Sequence, residues 1–431
     1  MSRRVAFYVP RVNHLRVVAP VIDYLVHHCA QKFRALILVP GWRTSKQPWQ
    51  PQPDEVRALF GEQVELTYLE DVAAWVRLIQ TASIDVLVNL TTQVAEIDQR
   101  TVHTLRHESR KTGTKWVALP YLFAQDHFIV ERPRYTLDTW DLICVAGPRS
   151  ADYILSHLNG LAAGDVRELH ERLVITGYPE LDGIDQLPDE KTIRRKHGLP
   201  LEKPIIFLGT AARLYPQANH SRTMHGLESR FMGEWDVSLR GLIGLAASLR
   251  YPARASYRQF LSAIRAFADR NNACLVAKTR AKHRDPSYLT DYVDYVFGDQ
   301  SFFPFTTLEL LRVSSLYVGL WSVMALEAVA MGLYALTMLS VPVELTEPVD
   351  RLGWSREFYH RPGGLWNTPG VSESIDGAKR SCYARLNRLA RSSLAEYAVD
   401  EARRTQLLDQ LVSYRGTSSE RFVEVLASCW S

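Results

Sequence analysis

The feature that most constrains this chain is the alternation of short, almost uninterrupted apolar runs with stretches of helical spacing. Val5-Ala-Phe-Tyr-Val9 is followed by a helical pattern over Val17 to Cys29. Further runs stand at Ala35 to Val39, Val64 to Tyr68, Asp85 to Asn89, Lys115 to Leu119 and Leu142 to Ala146. A strand wetted on one side alternates apolar and polar residues, whereas a strand covered on both sides is apolar almost throughout. Covered strands with helices between them are parallel strands joined by helical crossovers. The expectation is a doubly wound, Rossmann-like α/β domain.

The pattern breaks at Gly177-Tyr-Pro-Glu-Leu-Asp-Gly183 and the polar Pro188-Asp-Glu-Lys-Thr that follows, which read as a linker. A second series then begins. Strands are expected at Pro204 to Leu208, Cys274 to Ala277, Tyr292 to Val296, Leu316 to Gly319 and Tyr334 to Met338, with a helix over Ser322 to Met331. Leu214 to Ala255 is long for a connection, rich in Arg, His, Trp and Gly, and holds a possible amphipathic helix at Leu239 to Tyr251. Helices rich in Arg are expected from Gly377 to the end. The predicted division is an N-terminal Rossmann-like domain over 1–178, a linker over 179–203, a C-terminal Rossmann-like domain over 204–395, and C-terminal helices over 396–431.

Composition narrows the class. The 431 residues are 46% hydrophobic and 23% charged, which is ordinary for a globular chain of two domains. A formal charge of +4 argues against a dedicated nucleic-acid binder and suits phosphate-bearing ligands or an anionic membrane surface. Cys29, Cys144, Cys274, Cys382 and Cys429 are scattered and show no CxxC spacing, so they read as free thiols in a reducing compartment. The first residues do not read as a signal peptide, and no run of about 18 apolar residues occurs. The expected location is the cytoplasm, with possible contact at the inner face of the membrane.

Chemistry is expected where strands end. After Gly319 a short turn leads to Ser322, whose helix carries Glu327. The amides of Ser322, Val323 and Met324 can bind a diphosphate, which the helix dipole favours, and Glu327 can accept both hydroxyls of a ribose. The other reading of Ser322 is an N-cap, and of Glu327 a solvated or salt-bridged residue. Lys278, Arg280 and His283 follow the strand Cys274 to Ala277 and offer cations and a donor to phosphate oxygens. Gly209 and Thr210, with Arg213 beyond them, follow the first strand of the second series and could present backbone amides. No P-loop and no GxGxxG fingerprint is present. In the first domain, the loop after strand one holds His14, a candidate general base. The loop after Leu119 holds Asp126 and His127.

Taken together, these segments resemble the GT-B glycosyltransferase superfamily. Ser315-Leu-Tyr-Val-Gly-Leu-Trp-Ser322-Val-Met-Ala-Leu-Glu327-Ala-Val-Ala-Met-Gly332 is similar to its donor-binding strand and helix. Gly177-Tyr-Pro179-Glu-Leu-Asp182 resembles the interdomain motif of the branch that holds CDP-glycerol glycerophosphotransferases and UDP-GlcNAc 2-epimerases. Lys278-Thr-Arg280 resembles that branch's basic strand end. The resemblance implies two Rossmann-like domains facing a cleft, with C-terminal helices that return to the first. It implies a nucleotide-sugar donor on the second domain, a saccharide or lipid-linked acceptor on the first, and no metal or cofactor. His14 would be the base, and surface-polymer assembly the setting. The rival readings are a nucleotide-sugar epimerase or hydrolase, and a non-catalytic binding protein on the same fold.

Overall fold

A computed structural model describes residues 2–41, 50–81, 84–91, 97–121, 124–158, 160–210, 257–279, 285–298, 306–320, 322, 324–339, 356–377 and 379–428. The chain divides into two compact units. The first is Met1–Gln186 with Leu408–Ser431, and the second is Leu187–Leu407.

The first unit is built on a parallel seven-stranded sheet. Its strands are β1 (Arg3–Tyr8), β2 (Phe33–Pro40), β3 (Glu65–Leu69), β4 (Ile84–Leu90), β5 (Lys115–Leu119), β6 (Leu142–Val145) and β7 (Leu173–Ile175), in the order β3-β2-β1-β4-β5-β6-β7. The second unit holds β8 (Ile205–Gly209), β9 (Cys274–Lys278), β10 (Tyr295–Phe297), β11 (Leu316–Leu320), β12 (Ala335–Leu339) and β13 (Ser372–Asp376), in the order β10-β9-β8-β11-β12-β13. Every pairing in both sheets is parallel. Both units therefore have the doubly wound order, and in each the direction of winding reverses at the first strand: between β1 and β4, and between β8 and β11.

The apolar runs became strands because each is covered on two sides. Ile205, Ile206, Phe207 and Leu208 are all fully buried. One face of the second sheet packs Ile206, Leu208, Leu275, Leu316, Val318 and Leu336 against Tyr257, Phe260, Ile264 and Phe267 of the helix Tyr257–Arg270. In the first unit Trp75, Trp116 and Trp140 are wholly buried, and Tyr8 stacks on Trp75 at 4.8 Å. Each buried Val, Leu, Ile or Phe of these cores contributes about 1.5–3 kcal/mol.

Two strands were not expected from the sequence, β7 and β13. Both lie at a sheet edge, each with a single neighbouring strand. Leu173–Ile175 is too short to register as a run, and Ser372-Glu-Ser-Ile-Asp376 is polar because an edge strand is incompletely covered. The segment 179–203, expected as a linker, carries a 3-10 helix (Pro179–Ile184) and an α-helix (Glu190–Lys196), with the division between units at Gln186.

The first of these helices anchors the end of the chain. Asp182 accepts hydrogen bonds from the backbone amides of Ser418 (3.1 Å) and Ser419 (2.6 Å), the first residues of the helix Ser418–Ser428. Gly177, at φ +86, passes so close that a Cβ there would stand 2.3 Å from the Ser413 carbonyl oxygen. Glu180, buried beside it, pairs with Arg16 and accepts from the Tyr178 hydroxyl. The Gly-Tyr-Pro-Glu-Leu-Asp segment is thus a seat for the C-terminal helix within the first unit. Among the described residues no helix is long and apolar enough to cross a membrane.

Candidate functional site at the carboxyl edge of the second sheet

In doubly wound sheets, ligands bind beyond the carboxyl ends of the strands where the winding reverses. In the second sheet that place is the end of β8 and β11. The pairing register sets Lys278, Gly209, Gly319 and Thr337 side by side across β9, β8, β11 and β12. The residues next to them in each strand, Ala277, Leu208, Val318, Leu336 and Met338, fill the core under the helix Tyr257–Arg270. Side chains alternate along a strand, so these four, with Phe207 and Tyr317, belong to the opposite face.

Thr210 closes the end of β8. Its amide donates to the Lys278 carbonyl at 3.2 Å, continuing the ladder by one residue. Its hydroxyl lies 3.0 Å from that carbonyl and 3.0 Å from Asp285 Oδ2, and with one proton it donates to one of them at a time. Lys278 is buried and donates from Nζ to the Thr279 carbonyl at 3.1 Å. Burial pushes the Asp285 carboxyl up to about 6, against the lowering effect of the Thr210 hydroxyl. Asp285 is not among the residues that the sequence singles out, because sequence alone does not say that it folds back onto the end of β8.

The helix after β11 spans Met324–Ala330, two residues shorter at its start than the expected helix from Ser322. Ser322 precedes it, buried, and its hydroxyl oxygen accepts from the Met324 amide at 3.2 Å, which is the geometry of a cap. Glu327 is 3% exposed, so it is not the solvated residue that the charge alone allows. Val323, Arg213, Arg280 and His283, the remaining donor candidates, lie outside the described residues. The structure therefore brings Gly209, Thr210 and Lys278 together at one strand end, with the Met324 Sδ 3.4 Å from where a Cβ on Gly209 would stand, while Ser322 caps the helix that carries the buried Glu327.

In the first unit the candidates sit on helices, not in loops. His14 belongs to the first turn of the helix Val12–His28, where its amide bonds back to the Arg11 carbonyl at 2.9 Å. It is 3% exposed and meets Tyr121 edge-on at 5.7 Å. The helix starts at Val12, after an extended Arg11, and so takes in His14. Asp126 and His127 lie in the helix Ala124–Glu131, both buried. Gln125 ties its start to the sheet: its side-chain oxygen accepts from the Tyr121 amide (3.1 Å) and its side-chain nitrogen donates to the Cys144 carbonyl (2.7 Å). Burial raises the Asp126 carboxyl to about 8, with a hydrogen bond to Ser150 acting in the other direction. Asp126 is thus largely protonated at neutral pH, which suits a hydrogen-bond or proton donor rather than a base. His127 approaches Glu131 at 3.7 Å.

Comparison with known structures matches this architecture over nearly its whole length. A UDP-GlcNAc 2-epimerase from Neisseria meningitidis, bound to UDP-GlcNAc, superimposes with a TM-score of 0.55 at 12% identity, covering 99% of this chain and 100% of that one. Arabidopsis thaliana UGT89C1, complexed with UDP-L-rhamnose, gives 0.55 at 10% identity, covering 99% of each chain. The wall teichoic acid polymerase TagF, with CDPG, gives 0.53 at 10% identity over 99% of this chain and 89% of that one. The fold is GT-B. No protein-family model and no curated sequence matches the chain. At these identities the likeness establishes the fold of this GT-B chain, and its chemistry has to be argued from its own residues. Among the described residues no group of three or more His, Cys, Asp or Glu is placed to hold a metal ion.

Proposed function

We propose that this GT-B chain moves a sugar, or a related polyol-phosphate group, from a nucleotide-activated donor to a hydroxyl acceptor. The setting we propose is assembly of a cell-surface polysaccharide or glycoconjugate, in the cytoplasm at the inner face of the membrane. The observation that carries the reading is the row Lys278, Gly209 and Gly319 at the point where the second sheet reverses its winding, with Thr210 and Ser322 beside it. A buried cation at a strand end, next to glycines and a capped helix start, suits the phosphates of such a donor.

In this reading Lys278 neutralises charge on the departing phosphate, assisted by Arg280, His283 and Arg213 from the adjoining segments. No metal is then required, because cations and backbone amides stabilise the leaving group. Glu327 accepts hydrogen bonds from ribose hydroxyls. His14 takes the proton of the acceptor hydroxyl as it attacks the donor carbon. Asp126, protonated at neutral pH, with His127 next to it, orients the acceptor by donating a hydrogen bond. Support also comes from the solved structures of the same fold that hold UDP-sugars.

The deciding experiment has two stages. A thermal-shift screen of nucleoside diphosphates identifies the base, because a ligand of the folded state raises the melting temperature. Product analysis then follows the matching nucleotide sugar with and without acceptor saccharides. Transfer that needs the acceptor supports the proposal. An epimerised sugar formed from donor alone overturns it in favour of an epimerase, and no response to any nucleotide overturns nucleotide binding altogether.

A further inference from the structure

The helix Ser381–Arg391 takes no part in the site described above, and its charge is one-sided. From Lys379 to Arg391 the chain carries five cations, Lys379, Arg380, Arg385, Arg388 and Arg391, and no carboxylate. One face of the helix is core: Cys382, Leu386 and Leu389 are buried in the cluster that holds Phe260, Ile264 and Phe267. At 3.6 residues per turn, Arg380 and Arg391 stand within about 20° of one line on the opposite face and about 16 Å apart along the axis. Ala384 and Asn387 lie near that line between them, both exposed, with Arg388 on one flank and Tyr383, 42% exposed, on the other.

Part of this charge is answered within the unit. Lys379 pairs with Asp376 at 3.4 Å and Arg385 with Glu373 at 2.9 Å, both carboxylates of β13. Arg388 meets Glu396 only at 4.0 Å, with its own side chain 81% exposed. Among the described residues Arg380 and Arg391, both exposed, make no ion pair. Folding of the helix does not account for the row. Arg388 and Arg391 suit the carboxyl end of a helix, but Arg380 stands at the N-cap, where a cation opposes the dipole and its side chain makes no capping hydrogen bond.

The spread of the charges selects the partner. The three guanidinia of Arg380, Arg388 and Arg391 are strung along the helix instead of converging on a point, which fits an extended anionic surface better than one small anion. A protein partner generally brings an apolar centre to its interface, and the outward line of Arg380, Ala384, Asn387 and Arg391 offers no large apolar residue. A net charge of +4 over 431 residues is low for a nucleic-acid binder. An anionic bilayer needs only exposed cations, which act one by one, and a tyrosine suits the level of its headgroups.

We propose that the helix Ser381–Arg391 is a membrane-contact face, with Arg380, Arg388 and Arg391 against the headgroups of anionic lipid and Tyr383 at the same level. It deepens the membrane setting proposed above, on which it rests, and is independent of the nucleotide site.

Full-length protein is sedimented with vesicles of phosphatidylcholine alone, and of phosphatidylcholine and phosphatidylglycerol in equal parts, at rising salt. The expected result is binding to the anionic vesicles only, weakened by salt. Changing Arg380, Arg388 and Arg391 together to Gln should weaken it roughly a hundredfold, about fivefold for each charge, whereas changing all three to Lys keeps it. The control changes the exposed Arg100, Arg167 and Arg195 to Gln, which removes the same charge elsewhere and should leave binding nearly unchanged. The single changes, read at about fivefold each, serve if the triple variant melts early. Equal losses in the two glutamine variants overturn the assignment of this face and leave a membrane contact standing. Wild type that ignores anionic vesicles overturns the membrane contact itself and leaves the nucleotide reading untouched. Polyglutamate that binds wild type more tightly than the vesicles do, and is lost in the same variant, overturns lipid in favour of an acidic protein.

Discussion

Replacing Asp182 by Ala tests whether the Gly177–Asp182 segment holds the C-terminal helix. The carboxylate serves the helix Ser418–Ser428 as a cap supplied from 236 residues away. Its removal leaves two buried amide donors, at Ser418 and Ser419, without their acceptor. A buried donor left unpaired costs about 1–3 kcal/mol, and loss of an N-cap about 0.5–2 kcal/mol. Part of this is offset, because burial raises the Asp182 carboxyl above its ordinary range, so the charged form is held at a cost. Phe422, Val423, Val425 and Leu426 stay buried and keep the helix from leaving outright. The net loss should be ~2–3 kcal/mol, or a drop of roughly 4–12 °C in melting temperature for a unit of this size. Thermal and urea unfolding followed by circular dichroism measure it. Asp182→Asn should fall between, since its carbonyl replaces one acceptor and its amide faces the other donor. If Asp182→Ala lies within about 0.5 kcal/mol of wild type, the range of neutral surface changes, the clamp is not what holds the helix.

Asp126, with its carboxyl at about 8, should make the first unit less stable as pH rises from about 4 to 8: below that window both folded and unfolded forms are protonated, and within it only the unfolded form ionises freely. Asp126→Asn should remove that part of the slope of urea midpoint against pH, and an unchanged slope would contradict the burial argument. Lys278→Ala should weaken binding of the preferred nucleoside diphosphate by roughly ten- to a hundredfold, since a charged donor to phosphate is lost; calorimetry that finds equal affinities would remove Lys278 from the site. Gly319→Ala should lower the melting temperature, because a Cβ there would meet the Tyr317 ring and overpacking of this kind costs about 1–3 kcal/mol, and the same change in a Tyr317→Leu background should be much milder. Additive effects in that double-mutant cycle would show that the glycine is not there for the ring.

How much the chain disclosed in advance varies from element to element. The buried central strands were legible because each carries its own signal: Ile205 to Leu208 is apolar on both faces since both faces are covered. The edge strands β7 and β13 were not legible, because partial coverage leaves no continuous apolar run to read. The strand-end candidates Gly209, Thr210, Lys278 and Ser322 were found from the same local rule, that a strand ends where its apolar run ends. His14, Asp126 and His127 were placed in loops because helix starts at Val12 and Ala124 carry no strong capping sequence.

What the sequence by itself determined is therefore the fold class and the candidate strand ends, since burial on two faces and strand termination are properties of contiguous residues. Only the tertiary structure decided which strand ends share a row, that Asp285 reaches Thr210, that the Tyr317 hydroxyl passes over Gly319, and that Asp182 caps a helix near the other end of the chain. These depend on strand order, register and through-space distance. Residues far apart in the chain carry no local pattern that announces such meetings.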